Sequence, residues 1–287
     1  MTSMGRPYVK MNGLGNDFVV VEARNDKTGG DAFRPTPEQV RAWADREHGI
    51  GFDQLIAIEP SDKADAFMRV WNADGGEVET CGNALRCIGW LLMEAGGKDA
   101  ASIDTLGGLT RAARAPDRGG ERRVSIDMGE PGLDWTQIPL AEDMDTRGIE
   151  LQVGPIDAPL FHTPGAVSMG NPHVVFFVPD ADAVAVREVG SLVEHHPMFP
   201  EGVNVGFAEP RPGDRIRLRV WERGAGLTRA CGTGACAALV ACSRRGLSGR
   251  HATMILDGGE LEVEWRESDN HVIMTGPLQI EGTGTLP

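Results

Sequence analysis

The sequence predicts an α+β fold of two pseudo-symmetric lobes, made by tandem duplication of one unit. The stretch Val70-Trp71-Asn72-Ala73-Asp74-Gly75-Gly76-Glu77-Val78-Glu79-Thr80-Cys81-Gly82-Asn83 is followed 150 positions later by Val220-Trp221-Glu222-Arg223-Gly224-Ala225-Gly226-Leu227-Thr228-Arg229-Ala230-Cys231-Gly232-Thr233, sharing Val-Trp, a Gly and Cys-Gly without a gap. Gly170-Asn171-Pro172-His173-Val174-Val175 matches Gly15-Asn16-Asp17-Phe18-Val19-Val20 at an offset of 155. The order strand, loop, strand, helix, strands, Cys-Gly, helix, strands is readable twice, which a single duplicated α+β unit explains.

In the first half, Tyr8 to Met11 and Phe18 to Glu22 read as strands around a loop, Asn12-Gly13-Leu14-Gly15-Asn16-Asp17, rich in turn formers. Pro37 to Glu47 reads as a helix, with Thr36 as its cap and Pro37 in its first position. Gly51-Phe52-Asp53-Gln54 leads into a strand from Leu55 to Ile58, and Ala66 to Trp71 is the strand that delivers the first cysteine turn. From Asn83 to Glu94 the apolar face of Leu85, Ile88, Leu91 and Leu92 predicts a helix, ended by Gly96-Gly97. Short strands follow near 102–105, 109–113 and 123–128, with a hairpin tip at 116–120.

Residues 131–164 carry little period and many prolines and acids, placing a domain boundary near residue 130. The expected units are therefore 1–130 carrying Cys81 and 131–275 carrying Cys231, with 276–287 a C-terminal tail available to return to the first lobe. In the second half, 182–195 and 234–245 read as helices. The strands there are expected at 203–208, 216–221, 253–256, 260–265 and 271–274.

Composition narrows the function. Hydrophobic residues at 41% and charged residues at 24% describe a globular chain rather than a disordered one. A formal charge of −14 argues against nucleic acid or an anionic membrane as partner and for a small-molecule substrate. No apolar core follows Met1 to Pro7, and no run approaches a membrane span, so a cytoplasmic location is expected. Five cysteines fit a reducing compartment, and their spacings match no zinc motif, so no metal is expected.

Cys81 and Cys231 each open a predicted helix, where free backbone N–H groups and the helix dipole favour a thiolate. One thiolate and one thiol on opposite faces of an α-carbon suit epimerisation: one removes the proton and the other returns one. No cofactor is required if the carbanion is stabilised. The backbone N–H groups of Gly82, Asn83, Gly232 and Thr233, at the two helix starts, are placed to bind an α-carboxylate. Cys87, Cys236 and Cys242 sit inside apolar helices and read as core. A redox pair is disfavoured because Cys-x-x-Cys is absent.

Five blocks, in order, give the chain its resemblance to a known family. They are Met11 to Phe18, Gly51 to Gln54, Asn72 to Asn83, Met169-Gly170-Asn171-Pro172-His173, and Val203-Asn204-Val205 with Glu222-Arg223-Gly224 and Ala230-Cys231-Gly232-Thr233-Gly234-Ala235-Cys236. With these blocks the chain resembles the diaminopimelate epimerases, cofactor-independent enzymes that interconvert the LL and meso forms of that amino acid. The resemblance implies lobes that are mixed, mostly antiparallel sheets curled around a central helix, with the site in the cleft between them. It implies that Cys81 and Cys231 are the acid–base pair, and that Asn16, Asn72, Asn171 and Asn204 are amide ligands of the substrate. It further implies that Glu222 and Arg223 bind the distal ammonium and carboxylate, a guanidinium gripping a carboxylate with two bonds. Gln54 is implied to line the pocket near the first cysteine. His173 is implied to tune the thiols, as is Glu222. A homodimer and a role in lysine and peptidoglycan precursor synthesis follow from the resemblance alone.

One position departs from the family pattern. The family carries Glu after Gly-Ala-Gly and this chain has Leu227, so support for Cys231 is expected to come from elsewhere or to weaken. Two other readings compete. A proline or hydroxyproline racemase of the same fold is disfavoured by Cys-Gly-Asn in place of Cys-Gly-His and by the presence of Glu222-Arg223. A non-catalytic amino-acid-binding relative is disfavoured by the retention of both cysteines.

Overall fold

The computed structural model describes residues 5–25, 32–79 and 81–287. Thr80 of the first cysteine block and Met1 to Met4 of the leader reading lie outside the described residues. The chain divides into two compact units, residues 1–126 with 276–287 and residues 127–275.

The first unit contains β1 (Pro7–Gly13), β2 (Asn16–Glu22), α1 (Pro37–Ala44), β3 (Gln54–Glu59), β4 (Ala66–Asn72), β5 (Glu77–Val78), α2 (Gly82–Gly96), β6 (Ala100–Thr105), β7 (Gly108–Arg118) and β8 (Glu121–Asp127). The second contains β9 (Gln152–Val153), β10 (Phe161–His162), β11 (Gly165–Ser168), β12 (Pro172–Phe177), α3 (Val186–Glu194), β13 (Asn204–Arg211), β14 (Arg215–Glu222), β15 (Gly226–Thr228), α4 (Gly232–Arg244), β16 (His251–Leu256) and β17 (Gly259–Trp265). The last strand, β18 (Val272–Thr285), pairs with β17 through Thr275 and with β1 from Gln279 onward, Pro7 lying opposite Thr285. No helix among the described residues is long and apolar enough to cross a membrane.

The two units repeat one topology. In the first, β2 and β3 are parallel, β3 and β4 antiparallel, and β4 and β6 parallel. In the second, β12 and β13, β13 and β14, and β14 and β16 repeat that pattern in the same order. The hairpins leading to the cysteines even share a register. Val70 pairs Val78 and Trp71 pairs Glu77, while Val220 pairs Thr228 and Trp221 pairs Leu227. The tandem α+β reading of the sequence therefore holds at the level of strand pairing.

Within each unit the helix after the cysteine is the buried one. From Asn83 to Trp90, α2 has no exposed residue, and in α4 the run from Gly234 to Cys242 is buried throughout. Such helices are apolar on all faces because protein surrounds them. In the first unit α1 rests on β3, its start fixed by a capping box of Thr36 and Gln39 and its end by Asp45, which accepts from the Glu47 and His48 N–H groups.

Two expectations are corrected. The six-residue loop after β1 is a two-residue turn, Leu14-Gly15, with both φ positive at 59° and 85°. Asn12 makes it possible by accepting from the Gly15 N–H at 2.9 Å, so the strands run on to Gly13 and Asn16. The helix expected from residue 182 begins at Val186, because Asp180 accepts from the N–H groups of Asp182 and Ala183 and Asp182 is bound to Arg217.

Candidate active site

In the first unit, Cys81 occupies the N-cap of α2 in extended backbone, φ −142° and ψ 111°, and is partly exposed. Its carbonyl opens the helix by accepting from the Leu85 N–H at 3.0 Å. The N–H groups of Gly82 and Asn83 precede the helix's own bonding and point out of its start. Asn83 is buried, and its Nδ2 donates to Asn16 Oδ1 at 2.7 Å. This fixes the Asn16 amide with its NH2 group on the other side. The turn carrying Asn16 comes this close to α2 because Gly13 has no side chain: a Cβ there would lie 3.1 Å from the Asn83 carbonyl oxygen. Gln54 and Asn72 face each other across β3 and β4, Gln54 Nε2 donating to Asn72 Oδ1 at 2.9 Å. Gln54 Oε1 is buried without a hydrogen-bond partner among the described residues.

In the second unit, Cys231 holds the equivalent N-cap of α4, φ −115° and ψ 111°, but is 4% exposed. Its Sγ accepts from the Gly234 N–H at 3.3 Å and lies 3.6 Å from Thr233 Oγ1. The Glu222 carboxylate is its charged neighbour. Burial, then the neighbouring Glu222 charge, push the Cys231 thiol well above its ordinary value, against the pull of Thr233 and the Gly234 N–H. The helix start thus favours a thiolate at Cys231 less than burial and Glu222 oppose it.

Glu222 is partly buried, and loss of hydration raises its carboxyl, with Thr228 and Cys231 working in the opposite direction through hydrogen bonds. Thr228 Oγ1 donates to Glu222 Oε1. Leu227, where an acid is expected, packs against the apolar core of the unit. Its counterpart Glu77 pairs with Arg69. The carboxylate that reaches Cys231 is therefore Glu222.

Asn171, His173 and Thr233 form a chain: His173 Nε2 lies 2.9 Å from Asn171 Oδ1, and Asn171 Nδ2 donates to Thr233 Oγ1 at 3.5 Å. Burial, and then the Arg223 charge, hold the His173 ring down to about 3, so it is neutral near pH 7 and its contact orients Asn171. Asn204 is buried: its Nδ2 donates to the Pro172 carbonyl and its Oδ1 accepts from the Arg223 N–H, each at 2.9 Å. Arg223 is exposed and donates through Nη1 to the Glu201 carbonyl at 2.8 Å.

Three residues of these clusters carry no sequence signal of a site. Thr228 reads as a strand residue, Arg86 as part of a helix face, and Glu194 as the end of a surface helix. Arg86 is fully buried and donates to Asn83 Oδ1 at 3.1 Å and to the Pro277 carbonyl at 3.2 Å. Glu194 is buried against the second cysteine turn. A charged residue inside an otherwise apolar helical face, as at Arg86, is the one signal that could have singled any of them out.

Comparison with known proteins places this arrangement. The diaminopimelate epimerase family profile matches residues 8–133 and 165–281. A diaminopimelate epimerase of Phenylobacterium zucineum is 62% identical over 285 residues, covering 99% of each chain. One from Caulobacter vibrioides is 60% identical over 293 residues, covering 99% of this chain and 98% of its own. Among solved structures, a hydroxyproline epimerase from Agrobacterium vitis superposes with a TM-score of 0.67 at 17% identity, over 98% of this chain and 91% of its own. A phenazine biosynthesis protein of the PhzF family from Bacillus anthracis does so with 0.64 at 14% identity, over 98% and 99%. These two share the fold. Profile and full-length identity together make the chain a member of the diaminopimelate epimerase family.

Proposed function

We propose that the protein epimerises LL-2,6-diaminopimelate to the meso form by a two-base mechanism, without a cofactor, in lysine and peptidoglycan precursor synthesis. The observation that carries the reading is the repeated placement of a cysteine at the N-cap of a buried helix, at equivalent positions of two units. Family membership and relatives of that name at 60% identity and above support it.

In this reading one cysteine, as thiolate, takes the α-proton, and the electron pair left on carbon delocalises into the α-carboxylate. The N–H groups of Gly82, Asn83, Gly232 and Thr233 stabilise the charge that develops there. The other cysteine, as thiol, returns a proton to the opposite face. The two sulfurs exchange protonation states, and solvent resets them. Cys231, buried beside Glu222, is suited to hold its proton until the carbanion forms. Arg223 and Glu222 take the distal carboxylate and ammonium, the amides of Asn16, Asn72, Asn171 and Asn204 hold the remaining polar atoms, and Gln54 lines the pocket. His173 acts through Asn171. The five free cysteines suit a reducing cytoplasm, and a homodimer belongs to the same reading.

The test is proton exchange in D2O followed by NMR on LL-diaminopimelate, for wild type, Cys81→Ala and Cys231→Ala. Wild type should incorporate deuterium at the inverted α-carbon, and both variants should fail to epimerise. Exchange of another amino acid, with this one untouched, would move the reading to a different substrate.

A further inference from the structure

The turn Glu222-Arg223-Gly224 carries the carboxylate beside Cys231 and the guanidinium of Arg223, yet it is exposed at Arg223 and Gly224. Its shape is held from outside. Glu194, the last residue of α3, is 6% exposed and accepts twice: from Trp221 Nε1 at 2.6 Å and from the Gly224 N–H at 2.9 Å. Asn204 Oδ1 accepts from the Arg223 N–H at 2.9 Å. The Arg223 stem lies over Gly202, where φ is +71° and a Cβ would stand 3.1 Å from Arg223 Cδ. Trp221 is pinned in turn, because Gly190 on α3 leaves only enough room for it: a Cβ there would stand 2.5 Å from Trp221 Cβ.

We infer that Glu194 is a positioning residue for the epimerisation. Its carboxylate sets the backbone of the 222–224 turn, so that Glu222 meets Cys231 and Arg223 is pre-aimed at the substrate's distal carboxylate. The inference rests on the proposed function. A carboxylate accepts at both oxygens, and both donors here are N–H groups. The duplicated turn in the first unit is held by other groups. Arg41 Nη1 donates to the Asp74 carbonyl at 2.8 Å, and the Ala73 N–H donates to the Asp53 carbonyl at 3.0 Å. Each unit thus ties this turn to a neighbouring element, and in the second unit the group that does so is the Glu194 carboxylate. Holding a binding group in place before the substrate arrives lowers the ordering cost of binding, so the effect falls on KM more than on kcat.

The experiment compares wild type with Glu194→Gln and Glu194→Ala, with rates corrected for the folded fraction. Gln presents an NH2 group to one of two N–H donors and must break one bond; Ala removes both. Both variants should raise KM for LL-diaminopimelate about tenfold or more, with kcat changed less than KM, and should speed hydrogen exchange at the Gly224 amide. A fall in melting temperature with KM and Gly224 exchange at wild-type values would overturn the positioning role and leave Glu194 as packing. Wild type inert towards diaminopimelate would sink the functional reading before any variant is compared, and with it the claim about the substrate's distal carboxylate. The Gly224 exchange would then decide alone whether Glu194 holds the turn.

Discussion

Arg86 donates through Nη1 to Asn83 Oδ1 at 3.1 Å, and this bond decides which way the Asn83 amide faces. With its oxygen claimed, Asn83 has only its NH2 group to offer Asn16. Arg86 is a guanidinium without exposure, and its Nε also donates to the Pro277 carbonyl. Replacing it by Met leaves the buried Asn83 oxygen without this donor, at about 1–3 kcal/mol, and takes a second donor from the partly buried Pro277 carbonyl. Arg86→Met should lower the melting temperature and, because the Asn83 oxygen then loses the guanidinium donor that orients it, lower kcat/KM about tenfold. Calorimetry and kinetics on the purified variant check both, and an unchanged kcat/KM would separate Arg86 from the Asn83–Asn16 pair.

His173 gives a pH dependence of stability with a definite sign. Its folded value is lowered from 6.5 to about 3, by burial first and the Arg223 charge second. Between those values the unfolded chain binds the extra proton, so stability rises with pH through the window. The contribution is complete above about pH 6.5 and is lost towards pH 3, at about 1.4 kcal/mol per pH unit for one group. Urea titrations from pH 4.5 to 7.5 should show a steeper rise in wild type than in His173→Gln. Parallel slopes would mean that the ring ionises freely in the folded protein.

What the sequence made legible, and what it hid, follows from the reach of the interactions. The buried helices α2 and α4 and the hairpins before them announce themselves through local period and glycine placement, and the duplication reinforces each signal with a second copy. The two-residue turn at Leu14-Gly15 was hidden because a leucine with φ 59° is stabilised by Asn12 and its surroundings and not by its own propensity. Glu194 lies 27 residues before Trp221 and 30 before Gly224, and only the packing of α3 on β14 brings them together. The surroundings of Cys231 are out of the sequence's reach for a similar reason. A helix start can be read from the sequence, whereas the burial of a thiol beside Glu222 is a product of the whole unit.

Alkylation should separate the five cysteines. Cys81 is partly exposed, whereas Cys231 is 4% exposed with its thiol pushed up by burial and by Glu222. Cys87, Cys236 and Cys242 are fully buried, and burial pushes Cys87 and Cys242 up to about 12. Since the thiolate is the nucleophile, iodoacetamide at pH 7.5 should label Cys81 first, with Cys231 at least tenfold slower and the other three unlabelled until the protein unfolds. Timed peptide mapping by mass spectrometry gives the order. Labelling of Cys231 ahead of Cys81 would contradict the protonated state assigned to it.

Thr228 is the remaining lever on Cys231. Its hydroxyl donates to the Glu222 carboxylate and so favours the charged form, against a burial that raises the carboxyl. Thr228→Val removes the donor, and Glu222 should then gain its proton at a higher pH. The Glu222 charge is also one of the causes that raise Cys231, so neutralising it should bring the thiol down. Cys231 loses its proton at a higher pH than Glu222, where the carboxylate is charged with or without Thr228, so the change falls on the acid side. The acid limb of the kcat/KM profile should therefore move to higher pH in Thr228→Val. Thr228→Ser, which keeps the hydroxyl and loses only a methyl group, should restore the wild-type profile. A Val variant whose profile overlays wild type would show that Thr228 does not set the charge beside Cys231.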